Sequence, residues 1–378
     1  MFLLISGTVF DYISLTDYTS VFNYGVLLLI ILALMQCFTG MALKRDIARL
    51  NAIWGLAVIV LLTLYMGLRP VSYVFGDMGG YAASFRRVVA SEEPLRWRFE
   101  GEWAFGNMTR LLAKLVDEHG YFLCCATIYV GSLWFAMVRM FRTYYYFPLL
   151  VIICMFTFWA YGTNGIRNGL GASVFILAMT YVENLPVAAA LCLIAAGFHQ
   201  SVWMMVGAAV LAFFVKNSYY YLAAWLLCVV VSYFFGETIQ ASIAGLSIFG
   251  SYDRFTDYLT VSNIDSTEII MEIGFRWDFL LYSAMAVVTG WYFIFKENFK
   301  DEYYHWIYNT FLITNAMWVL VIRASYSNRL AQISWFIMPI VLIYPFMKKR
   351  FWRNQEIILG YALIMFYAFT FVYNIILH

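Results

Sequence analysis

The chain has 378 residues, 63% of them hydrophobic and 12% charged, with a formal net charge of +2. A soluble domain of this size has too little interior to bury that share of apolar surface, and the net charge says nothing about nucleic acid, which is not expected as a partner. The apolar residues fall in blocks long enough to cross a bilayer. Composition therefore points to an all-α polytopic membrane protein, one integral membrane domain over residues 1–378.

The N-terminal stretch has no basic region, and Asp11 interrupts its apolar run, so no cleavable secretory signal is expected. About twelve spanning segments follow, at 23–43, 51–68, 119–138, 146–162, 168–182, 186–198, 201–215, 219–236, 277–295, 304–322, 330–347 and 356–376. The segments at 168–182 and 186–198 are short, as tilted or partly re-entrant helices are where protein rather than lipid surrounds them. Cys37, Cys124, Cys125, Cys154, Cys192 and Cys228 all lie inside apolar blocks without metal-site spacing, and are read as small hydrophobes in helices.

Alternate loops are short and basic. Lys44, Arg45 and Arg49 follow the first span, Arg139 and Arg142 the third, and Lys216 the seventh. Lys296 and Lys300 follow the ninth, and Lys348, Lys349, Arg350 and Arg353 the eleventh. The positive-inside rule makes these loops cytoplasmic and places both termini outside. The lysines gather on that side, Lys114 excepted, whereas most arginines fall on the other. Arginine is the side chain suited to bidentate phosphate recognition, so an arginine-rich outer face calls for a functional reason.

Two outer loops are long, at about 69–118 and 237–276, and both are expected to carry short helices. The first contains Gly76-Asp-Met-Gly-Gly80, a helix from Gly79 to Ala90, and an amphipathic stretch from Trp103 to Val116 suited to a membrane surface. The second includes Ser251-Tyr-Asp-Arg-Phe-Thr-Asp-Tyr258.

The candidate site residues gather at the outer ends of the spans. Arg69 ends the second span, Arg167 begins the fifth, and His199 lies in the turn between the sixth and seventh. Arg323 ends the tenth and Arg329 begins the eleventh. Ionisable groups at membrane depth are costly and face a cavity or a partner. The alternatives are snorkelling to the headgroups for an arginine such as Arg323, and a backbone-bonded histidine at a helix end for His199. Asp77 is a general base, a partner of an arginine or an acceptor for a sugar hydroxyl, the alternative being a cap on the helix that follows. Glu100-Gly-Glu-Trp-Ala-Phe105 adds two acids and aromatics on which sugars stack.

The four histidines, His119, His199, His305 and His378, form no H-x-x-x-H pair, and there is no carboxylate-rich run, so no metal and no cofactor is expected. P-loop, dinucleotide and G-x-S-x-G patterns are absent from the sequence. Several arginines, one histidine and one aspartate suit a substrate that arrives activated, such as a lipid diphosphate. Arginines would neutralise the leaving group, and Asp77 or His199 would take a proton from the attacking hydroxyl.

These residues match a pattern. Gly67-Leu-Arg69, Gly76-Asp77 with Tyr81, the Glu-aromatic element at Glu100–Phe105, Arg167-Asn168 opening a helix, His199-Gln-Ser201 and Arg329 opening a late helix run in order over roughly residues 60–340. In this the sequence resembles the EpsG / Wzy group of bacterial polysaccharide polymerases. It departs from the group in carrying Trp103-Ala104 where a proline-glycine is usual.

The resemblance implies a GT-C-like fold in the bacterial inner membrane with its site facing the periplasm. It implies metal-independent transfer of a growing glycan from undecaprenyl diphosphate to the non-reducing end of another lipid-linked repeat unit. The partners would be undecaprenyl-diphosphate-linked oligosaccharides, membrane lipids and a chain-length regulator. Arg69, Asp77, Arg167, His199 and Arg329 carry over by motif, and Arg323 by position alone. On this reading Arg69, Arg167, Arg329 and Arg323 bind diphosphate, with Asp77 and His199 as candidate bases. Tyr81, Glu100, Glu102, Trp103, Asn168, Ser201, Tyr252 and Arg254 contact glycan or acceptor. The rival readings are a membrane O-acyltransferase of surface sugars and a lipid-linked sugar flippase or transporter.

Overall fold

The computed structural model describes residues 9–91, 94–245, 274–324 and 327–376. Among them the chain forms helices and no β-strand. In order these are α1 (Tyr18–Phe38), α2 (Arg45–Gly67), α3 (Met78–Ala90), α4 (Trp103–Leu112), α5 (Glu118–Phe141), α6 (Tyr146–Ile153), α7 (Phe158–Thr163) and α8 (Ile166–Met179). There follow α9 (Leu185–Phe198), α10 (Val202–Phe214), α11 (Ser218–Gly245), α12 (Trp277–Trp291), α13 (Glu302–Leu320), α14 (Ser327–Trp335), α15 (Met338–Lys348) and α16 (Gln355–Phe371).

Among the described residues, seven helical stretches are long and apolar enough to cross a bilayer: Tyr18–Phe38, Arg45–Gly67, Glu118–Tyr144, Ser218–Ser242, Trp277–Lys296, Arg329–Lys348 and Gln355–Ile376. The chain is thus a polytopic α-helical membrane protein. Large apolar side chains on α1 and α2, such as Leu28, Ile53 and Leu61, point outward, a surface that suits lipid and not water. Helices α8, α9 and α10 are apolar but shorter.

Helix starts follow local chemistry. Asp117 caps α5 by accepting from the Gly120 amide at 2.8 Å, and Asp301 caps α13 through the Tyr304 amide at 2.9 Å. Asn184 caps α9 with Pro186 in its first turn, where a missing amide costs nothing.

Each of the twelve expected segments coincides with helix, but two are interrupted. The segment expected at 146–162 is split into α6 and α7. The break is buried, and donors from elsewhere satisfy it: Thr370 Oγ1 bonds the Cys154 carbonyl at 2.9 Å and Tyr129 Oη the Phe158 carbonyl at 3.0 Å. Irregular backbone at membrane depth survives only with such partners. The segment at 330–347 is split before Met338, where Pro339 removes an amide.

The chain divides into two compact units, Met1–Trp203 with Phe346–His378, and Met204–Pro345. In the first, the Tyr18 and Tyr65 rings stack at 4.5 Å, and Tyr65 Oη donates to the Tyr18 carbonyl at 2.7 Å. Phe22 stacks on Trp159 at 4.7 Å. The unit is closed by α16, whose Tyr367 Oη donates to the Asn23 carbonyl at 3.0 Å.

The second unit centres on buried Asn315. Its amide donates to Ser283 at 3.0 Å and Ser334 at 2.9 Å, and its carbonyl accepts from Trp225 Nε1 at 2.8 Å. Trp335 Nε1 also donates to Ser283, at 2.7 Å. This satisfied polar network links α11, α12, α13 and α14, and fixes their register inside an otherwise apolar core.

Candidate active site

The candidate site lies within the first unit, where four chain segments meet. Helix α8 opens with Arg167 and Asn168, and α9 ends at His199, with Ser201 in the turn that follows. Glu102 stands at the N-cap position of α4, and Tyr81 lies on α3.

Close approach of α4 and α9 depends on Gly197. A Cβ there would stand 2.6 Å from Cε2 of the Trp103 ring. Trp103 therefore rests on the glycine face of α9, and its neighbour Glu102 reaches His199. The preceding loop is stapled to α4 by Asn107, whose carbonyl accepts from the Arg98 amide at 3.0 Å and whose amide donates to the Arg98 carbonyl at 2.7 Å.

Glu102 is the hub. Its Oε2 accepts from Arg167 Nη1, and its Oε1 lies 3.5 Å from His199 Nε2. His199 Nδ1 lies 2.8 Å from Ser201 Oγ and accepts the Ser201 amide at 3.2 Å. Ser201 Oγ donates to Asn168 Oδ1 at 2.8 Å. Asn168 follows Arg167 in α8, so the contacts close into a ring.

The side chains are partly open, with Arg167 at 32% exposure, His199 at 25% and Glu102 at 20%. Such groups meet a ligand without being fully hydrated. The Arg167 guanidinium also lies 5.7 Å from the Tyr81 ring centre and 6.0 Å from that of Phe105. Its Nε faces Tyr81 Oη at 3.4 Å. Burial pushes the Tyr81 phenol up, with the Arg167 charge opposing it. Tyr81 is therefore neutral at physiological pH and keeps a proton to donate.

Asp77 sits at the N-cap position of α3 without a side-chain capping bond, and is exposed. The helix-cap alternative thus finds no hydrogen bond. Its amide donates to Asn164 Oδ1 at 2.8 Å, which ties the Gly76-Asp77 turn to the start of α8. Gly76 has φ of +64°, and a Cβ there would stand 2.4 Å from Asn164 Oδ1, so only glycine fits. The Asp77 charge is felt at Tyr81.

Arg69 is placed differently. It is 1% exposed, and its guanidinium donates to the Met66 carbonyl and, at 2.8 Å, to the Thr163 carbonyl. The rings of Phe75 and Phe122 flank it at 5.4 and 5.6 Å. Burial pulls it down to about 10, so it remains charged at neutral pH. Its bonds hold the α7–α8 turn one residue before Asn164.

Arg323 and Arg329 lie in the second unit. Arg323 donates to the Tyr233 carbonyl at 3.3 Å and stands 3.9 Å from Glu237. Arg329 is partly exposed in α14. Glu100 is exposed in the loop before α4. Tyr252 and Arg254 lie outside the described residues. Among the described residues, no three His, Cys, Asp or Glu side chains cluster to hold a metal ion.

The sequence pattern did not single out Asn164 as a site residue, nor Glu102 as the partner of Arg167. The Asn164-Gly165 pair, with its turn preference, was the available signal for the first.

The ring joins a cation suited to a phosphate, a carboxylate, an imidazole, a hydroxyl and an amide, with the Tyr81 phenol beside the cation. It is equipped to hold an anionic leaving group and to move a proton. Residues 52–378 match the family model described as EpsG family. No curated protein and no solved structure matches the chain.

Proposed function

Since the chain belongs to the EpsG family, whose members are membrane polysaccharide polymerases of glycosyltransferase-like activity, we propose that it extends a glycan on undecaprenyl diphosphate. The growing glycan leaves its diphosphate and is joined to the non-reducing end of another lipid-linked repeat unit. The observation that carries this reading is the partly open Arg167, held by a carboxylate beside His199. An anion already occupies the guanidinium, and a diphosphate presents the same oxygens in greater number.

In this proposal Arg167 binds and neutralises the diphosphate, and His199 or Asp77 takes the acceptor proton. Tyr81, Trp103 and Phe105 offer aromatic faces to the sugars, and Glu100 contacts the acceptor side. Arg69 acts from beneath by holding the turn that carries Asn164 and Arg167. For Arg323 and Arg329 a diphosphate role is proposed on chain order and charge alone, and for Tyr252 and Arg254 a glycan role on composition alone.

The finer topology is part of the same proposal. About twelve crossings, with the basic loops in the cytoplasm, put the site at the periplasmic face of an inner membrane. A GT-C-like arrangement, metal-independent chemistry and a chain-length regulator as partner complete it.

Reconstitution with a lipid-linked repeat unit tests the reading. The wild type should give a ladder of products, insensitive to EDTA. Arg167→Ala should abolish the ladder while leaving a monodisperse, normally folded protein. A ladder of wild-type rate from that variant would sink the assignment.

A further inference from the structure

Glu102 faces Arg167 and His199 and serves them unequally. Its Oε2 is bonded to Arg167, whereas Oε1 stands 3.5 Å from His199 Nε2, too far for a good hydrogen bond. The carboxylate is committed to the arginine and only approaches the imidazole.

The backbone sets the tautomer of that imidazole. The Ser201 amide donates to His199 Nδ1 at 3.2 Å, and an amide is always a donor. Nδ1 is therefore the lone-pair nitrogen, and in the neutral ring Nε2 carries the proton, aimed at Glu102. Ser201 Oγ has one proton and two acceptors, His199 Nδ1 at 2.8 Å and Asn168 Oδ1 at 2.8 Å. Its hydroxyl thus has a ready path into the ring.

We infer that Ser201, His199 and Glu102 form a proton relay that engages when a diphosphate takes Arg167 from Glu102. The inference rests on the polymerase reading for its substrate and goes beyond it by naming the switch and the first proton acceptor. Once phosphate oxygens occupy Arg167, the carboxylate has lost its cation and closes on His199 Nε2–H. The acceptor sugar hydroxyl gives its proton to Ser201 Oγ, and the serine proton moves to His199 Nδ1. The hydroxyl oxygen forms a bond to the anomeric carbon of the donor as that carbon's bond to the diphosphate oxygen breaks. The electron pair leaves with the lipid diphosphate, neutralised at Arg167, and the imidazolium is neutralised by Glu102. Ser201 touches the substrate, and Glu102 is a positioning residue.

The same hand-over delays base activation until the leaving group is bound. It also predicts a competition. Glu102 and the diphosphate want the same guanidinium, so removing the carboxylate charge should improve anion binding while impairing turnover.

The full chain in nanodiscs, with inorganic pyrophosphate as the binding probe, tests this. Glu102→Gln, which keeps the shape, should bind pyrophosphate at least about threefold more tightly than the wild type, read as a lower Kd. Its kcat should fall about 100-fold, the scale of a lost general base, with no rise in the KM for lipid-linked donor. Glu102→Asp should restore part of kcat. Ser201→Ala should lower kcat at least about tenfold and leave pyrophosphate affinity unchanged. A purely structural Glu102 would not give opposite changes in affinity and turnover. Unchanged or weaker pyrophosphate binding by Glu102→Gln, or a wild-type kcat in either Glu102→Gln or Ser201→Ala, would overturn the relay. A wild type that makes no polymer but shows the tighter binding of Glu102→Gln would overturn the polymerase reading and leave the competition at Arg167 standing.

Discussion

Arg69 and Arg167 belong to the same unit and to the same sequence pattern, yet their surroundings differ in kind. Arg69 is 1% exposed and donates to the Met66 and Thr163 carbonyls. Arg167 is 32% exposed and is held by the Glu102 carboxylate. Carbonyls are neutral and fixed in the backbone, so a ligand cannot displace them without unfolding the turn. A carboxylate is a mobile anion, and another anion can take its place. Partner type therefore separates a guanidinium that holds the fold from one that, in the proposed function, exchanges its carboxylate for substrate.

Substitutions at four positions break or sharpen that contrast. The largest effect is expected at Arg69. Arg69→Ala leaves two buried carbonyls without their donors, at a cost of about 3 kcal/mol or more. The variant should be recovered poorly and melt early, and Arg69→Lys should rescue little, since an ammonium lacks the fork that spans both carbonyls. If Arg69→Ala keeps the wild-type Tm and loses only activity, Arg69 is a ligand-binding residue after all. Arg167→Lys is expected to leave Tm within a few degrees while cutting polymerisation about 10- to 100-fold, because one ammonium cannot bind two phosphate oxygens side by side.

Gly197→Ala comes next. A methyl 2.6 Å from the Trp103 ring forces α4 outward, costing about 1–3 kcal/mol and drawing Glu102 away from His199. Melting curves and polymer ladders should both register it. The smallest change is Asn164→Ala, which removes the bond to the Asp77 amide for about 1 kcal/mol. A modest Tm loss with a larger fall in polymerisation would link the Gly76-Asp77 turn to the chemistry.

The helices were legible because hydropathy alone demands them: α1, α2, α5 and α11 are apolar runs with polar ends. The interruption before Met338 was marked by Pro339. The one between α6 and α7 was not, since residues 146–162 read as a continuous apolar run. That break is stabilised by Thr370 and Tyr129, donors from other parts of the chain, and local sequence carries no trace of them.

The same limit governs the site. Arg167, Asn168, His199 and Ser201 stand out because polar groups beside apolar helices are conspicuous. The role of Glu102 is invisible from its own loop, because it depends on the packing of Trp103 on Gly197, far along the chain. Arginine two residues after a glycine at a helix end looks alike in sequence whether its partner is a carbonyl or a carboxylate, and Arg69 shows that only the fold distinguishes them.

The unit that houses Arg167 and His199 is discontinuous, and α16 completes it through Tyr367 to Asn23 and Thr370 to Cys154. During synthesis the helices bearing the site emerge long before their final partner. The kink between α6 and α7 then waits with the Cys154 carbonyl unmet until residue 370 has left the ribosome. A chain released early would carry the side chains of the candidate site and still lack a settled scaffold for them. The scaffold of the candidate site is in that sense completed only at the end of translation.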